Sequence, residues 1–87
     1  MNIEFTPDES YDHHHRNVVW FTAIDDAKVI NCAISMEALI AHFGGYTDDP
    51  LPTFAKHRQR IWDIAEKLIA GRRFEADGTI LIQSADL

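Results

Sequence analysis

The chain has 87 residues, 46% of them apolar, with a formal net charge of −6 and a single cysteine. That length supports one domain with one core, burying roughly 60–65% of the unfolded surface, and leaves no room for a second. Nine aromatics exclude whole-chain disorder, one cysteine excludes an intrachain disulfide, and no apolar run approaches the ~20 residues of a membrane span.

In chain order, Ile3–Phe5 predicts a short first strand, stopped by Pro7. Asp8–Arg16 is polar and aperiodic, and predicts a surface loop. Two apolar runs follow, residues 17–24 and 28–34, joined only by Asp25-Asp26-Ala27, and together they predict a β-hairpin. Alternation sets Val19, Phe21 and Ala23 on one face with Ile30, Cys32 and Ile34, and turns Val18, Trp20 and Thr22 to the other. A turn at Asp25-Asp26 pairs Phe21 with Ile30, and one at Asp26-Ala27 pairs it with Cys32. Both placements keep the same residues on the same face, because only an odd register slip exchanges faces.

Ser35 predicts a helix N-cap, with Glu37 in the first turn and Met36, Leu39, Ile40 and Phe43 as an apolar stripe ended by Gly44-Gly45. A second helix is predicted from Asp49-Pro50 to about Ala70. Its buried arc is Phe54, Ile61, Ile64, Ala65 and Leu68, flanked by Trp62 and Ile69. Phe74–Ala76, the turn Asp77-Gly78 and Thr79–Gln83 predict a second hairpin. The fold class is therefore α+β: an antiparallel sheet of four to five strands with helices packed mainly on one face, all within one domain, 1–87.

The stretches Arg16-Asn17-Val18-Val19, Phe21-Thr22-Ala23, Cys32 to Leu39, Lys56 to Ile61 and Phe74 to Ile80 resemble the small bacterial proteins called domain of unknown function 1488. The resemblance spans nearly the whole chain and implies a compact α+β fold in a bacterial cytoplasm. It implies no activity, cofactor or catalytic residue. The amino terminus agrees with that compartment, since Met1-Asn2-Ile3-Glu4 lacks the basic start and apolar stretch of a secretion signal.

His13, His14 and His15 invite a metal reading, because imidazole ligates zinc, nickel and copper. Three adjacent histidines aim poorly at one ion, so a solvated polar loop is favoured and a metal-responsive protein is the third reading. Cys32 lies on the predicted core face, where a thiol acts as a small hydrophobe. No serine elbow and no helix-opening glycine loop is present. The chain reads as a non-enzyme without a cofactor.

Charge is uneven: −7 over residues 1–55, +4 over residues 56–73 and −3 over residues 74–87. Lys56, Arg60 and Lys67 share one exposed face of the second helix and could meet phosphates, which makes a nucleic-acid-associated regulator the second reading. Asp63 and Glu66 on that side, and the overall negative charge, disfavour it. Arg58 falls inside the apolar arc. It either lays its stem along apolar surface or pairs with an acid such as Glu37 or one from a second molecule; the first is favoured. The leading reading rests on the other sheet face, where Val18, Trp20, Val29, Ala33 and Leu81 point away from the core. With Arg58, the residues Val18, Trp20, Val29 and Leu81 form the candidate surface of an interaction module that binds a second copy or another protein.

Overall fold

A computed structural model describes residues 3–12, 17–44 and 50–87. The hairpin forms as β2 (Val18–Asp25) and β3 (Lys28–Ser35). Its turn is Asp26-Ala27, with Asp25 opposite Lys28 and Phe21 opposite Cys32. Both turn residues have positive φ, +48° and +73°, the type I′ geometry whose twist matches the flanking strands.

The first strand outruns its prediction. β1 (Ile3–Asp12) pairs antiparallel with β2 along its length, so Asp8–Asp12 is strand rather than loop. Between Thr6 and Ser10 the register slips, and Pro7, Asp8 and Glu9 together face Phe21. Pro7 is tolerated there because an irregular stretch of an edge strand requires no ladder donor. Residues 13–16, with the three histidines, and residues 45–49, with Asp49 of the predicted helix start, lie outside the described residues.

Ser35 caps α1 (Met36–Phe43) by accepting from the Ala38 amide at 3.1 Å, and Gly44, at φ +71°, closes it. The inward residues are Ala38 and Leu39, with Phe43 packed at the side. The single long helix expected next is two, α2 (Leu51–Lys56) and α3 (Arg58–Ala70), divided at His57. His57 takes φ −113° and lays its ring on Phe43 at 4.8 Å. No glycine or proline marks the break, so periodicity alone runs through it.

The second hairpin is replaced by a crossover. Asp77-Gly78 does turn, with Gly78 at φ +86° and the Asp77 side chain accepting from the Thr79 amide. Yet Phe74–Ala76 is not a strand, and β4 (Ile80–Ile82) pairs parallel with β3, Cys32 opposite Ile80. The sheet is therefore mixed, in order β1-β2-β3-β4. The connection from β3 to β4 carries all three helices, as a parallel pairing requires.

Those helices pack on one face. Phe54, Ile61, Ala65 and Ile69 join Val19, Phe21, Cys32, Ile34, Ile80 and Ile82 in one sealed cluster. Ile64, Leu68 and Trp62 are half-buried around it, a small rotation of the predicted arc. The Cys32 thiol is sealed there and donates toward the Ile30 carbonyl at 3.7 Å. Burial pushes its pKa from 9.0 up to about 12.

The Arg58 head, 5.9 Å over the Trp62 ring, is paired with an acid rather than left to water. Its Nε and Nη2 donate to the Glu9 carboxylate at 3.2 and 2.5 Å, and the Glu9 side chain is only 8% exposed. The irregular stretch of β1 turns Glu9 toward the helices, where this bidentate pair ties the edge strand to α3. Below the pair, Trp62 stacks on Phe5 at 5.2 Å, nearly parallel.

Three outcomes follow from this packing. Ala27→Gly relieves a positive φ costing ~1–2 kcal/mol against an entropic loss of ~0.5–1, so urea unfolding gains about 0.5–1 kcal/mol. Arg58→Met strands a buried carboxylate and lowers the melting temperature, whereas Glu9→Met/Arg58→Met recovers most of the loss. A double variant melting below Arg58→Met would contradict the pair's role. Finally, above pH 9 the unfolded thiol gives up its proton while the native one holds it to about 12. The native state then binds more protons, so stability falls as pH rises through that window, by at most ~1.4 kcal/mol per unit. Urea titrations on either side of pH 9 will show a shallower decline in Cys32→Ala than in wild type.

Candidate functional site: a sheet face without a helix

The strand pattern that fills the core also furnishes the opposite face. Register places Ser10, Trp20, Ala33 and Leu81 in one row across all four strands. Beside it run Asp12, Val18 and Ser35 on one side, and Thr6, Thr22 and Asn31 on the other. Glu4, Ile24 and Val29 form the last row. The described α-helices all pack on the other side of the sheet.

Exposure varies along the face for local reasons. Ala33, a small residue between Trp20 and Leu81, is 1% exposed. Trp20 is half-buried, its indole N–H donating to Asp12 at 3.4 Å. Val29 is 63% exposed, and Phe74, close to it beside β4, is 37% exposed with the Lys28 ammonium 5.9 Å from its ring. A groove of about 440 Å³ lies between Val18, Leu81 and the carboxy-terminal 3₁₀ turn (Ser84–Asp86).

Of the residues predicted for this surface, Trp20, Val29 and Leu81 are brought together on it. Val18 points to the same side but is buried, 3% exposed, at the floor of the groove. Arg58 is held by Glu9 on the helical side of the sheet. Phe74 lines a hollow with Val29 although the sequence predicts it within a hairpin strand; its size beside a turn is the local signal for it.

The other candidates lie on the helices. Lys56 ends α2, while Arg60 and Lys67 lie exposed on α3 beyond the break. Asp63, spaced to meet Lys67, instead accepts from Gln59 at 3.0 Å. Among the described residues no three His, Cys, Asp or Glu side chains converge as a metal site would require. No described helix is long and apolar enough to cross a membrane.

Comparison with known proteins places this geometry. A family model described as protein of unknown function (DUF1488) matches residues 3–82. The chain is 36% identical to a Shigella flexneri protein named uncharacterized protein YrdB, over 97% of this chain and 86% of that one. Its Escherichia coli K12 counterpart of the same name is 34% identical over the same shares. A crystal structure of a DUF1488 protein of unknown function from Shewanella loihica PV-4 superposes with a TM-score of 0.87 at 30% identity, covering 94% of each chain. The chain belongs to the DUF1488 family.

Proposed function

We propose that this protein is a non-catalytic interaction module of the bacterial cytoplasm that binds a protein partner through its helix-free sheet face. The observation that carries the reading is the Trp20–Ala33–Leu81 row, with Val29 at 63% exposure beyond the intervening Thr22–Asn31 row, on the side opposite the described α-helices. An exposed apolar patch with an aromatic anchor is the usual core of a protein interface.

The sheet's edges support a face rather than an edge contact. β1 carries Pro7, Asp8 and Glu9 in its irregular stretch, and β4 is only three residues long. Charged, bulged or short edges resist strand addition. Cys32 supports the non-catalytic part: its thiol is sealed and stays protonated far above neutral pH, so it offers no nucleophile.

Binding through this face requires that a charge placed on it abolish association without unfolding the chain. Val29→Glu and Trp20→Glu are the variants, the first at a position exposed enough to accept it. Sedimentation across concentration detects a second copy, and affinity capture compared between wild type and variants detects another protein. The expected result is an association present in wild type and lost in both variants, with circular dichroism unchanged in Val29→Glu. A monomer at every concentration, with no captured protein sensitive to Val29→Glu, would overturn the reading.

A further inference from the structure

We infer that the occupant of this face is a cationic amphipathic segment of a different protein, an apolar ridge flanked by Lys or Arg, and not a second copy of this chain. The inference rests on the interaction reading above and adds the partner's chemistry. The apolar row is bordered by carboxylates on several sides. Asp8 lines the hollow beside Trp20 with Ser10, Thr22 and Asn31. Glu37 lines the groove beside Val18 and Leu81. Glu75 stands with Asp77 on the outer side of Leu81, and Glu4 shares the row of Ile24 and Val29. None of those three hollows has a Lys or Arg in its described lining.

One cation stands at the face itself, Lys28, which lines the hollow of Val29 and Phe74 together with Asp77; the others are placed differently. Lys56, Arg60 and Lys67 are exposed on the helical side, and Arg72 and Arg73 occupy one corner beyond Leu81, where Glu75 and Asp86 line the same cavity. A face-to-face dimer would bring one acidic border against another, and like charges across an interface oppose pairing. Head-to-tail stacking onto the basic helix face would match charge, but that outer face offers Gln59, Arg60, Asp63, Glu66 and Lys67, with no apolar residue to fill the row. It would also leave an open chain of copies. A basic partner with its own apolar ridge satisfies both the row and its border.

The test uses a synthetic amphipathic helix of Leu and Lys, its Leu–Glu counterpart, and the full chain, with binding read by fluorescence anisotropy of labelled peptide. The Leu–Lys peptide should bind, weaken as salt rises, and lose binding in Val29→Glu; the Leu–Glu peptide should not bind. Asp8→Asn/Glu37→Gln/Glu75→Gln should weaken binding about tenfold, the combined size expected of three exposed charge pairs. The control Asp63→Asn/Glu66→Lys changes net charge equally on the helical side and should leave affinity within about twofold, the residue of screened long-range attraction. Equal binding of both peptides, or equal loss in the control, overturns the cationic assignment and leaves the interaction face standing. Dimerisation lost in Val29→Glu, without peptide binding, overturns it in favour of a second copy. Absence of both peptide binding and dimerisation overturns this inference, and the reading beneath it then falls only if affinity capture also finds no protein sensitive to Val29→Glu.

Discussion

The register of β2 against β3 is the constraint on which the molecule depends. With Phe21 opposite Cys32 and Trp20 opposite Ala33, the central pair presents one apolar layer to the helices and a second to the other side. A slip by one residue would send Phe21 outward and Trp20 into the core, exchanging every contact that α3 makes. The type I′ turn at Asp26-Ala27 fixes that register although Ala27 is not the glycine such a turn prefers. Packing of Phe21 against Phe54, at 5.3 Å between ring centroids, therefore outweighs the local strain.

What the sequence revealed was whatever local pattern encodes. Alternation gave the hairpin and the residues on each of its faces, and Ser35 and Gly44 gave the bounds of α1, because these signals act within a few residues. The class, helices on a sheet, followed from element order. The parallel pairing of Ile80–Ile82 with β3 was not legible, since Asp77-Gly78 advertises a hairpin equally well and nothing local says which strand Ile80 will meet. The same blindness hid β1 beyond Pro7: its residues are polar because they lie on an edge, and polar edges read as loops.

The candidate site was legible to the same depth. Trp20, Val29 and Leu81 came from alternation alone, and the structure gathers them on one face. Arg58 misled for a physical reason. An arginine inside an apolar arc has to place its charge somewhere, and its partner, Glu9, sat 49 residues away in a segment without pattern. Val18 has the right orientation, but the groove beside the 3₁₀ turn encloses it.

The face also has a size that argues about the kind of contact it makes. Ala33 recedes between two large neighbours, and Asp12 restrains the Trp20 ring, so the apolar row is narrow and partly self-covered. A wide, flat, fully apolar layer would demand a permanent partner, as obligate interfaces resemble a core cut in half. A narrow row inside a polar and acidic border instead tolerates water between encounters. On the proposed reading, affinity would come from one anchored aromatic contact and from matching charge around it, with little from area. A partner of the proposed kind could then leave without unfolding the domain, because the main core cluster lies on the sheet's other side.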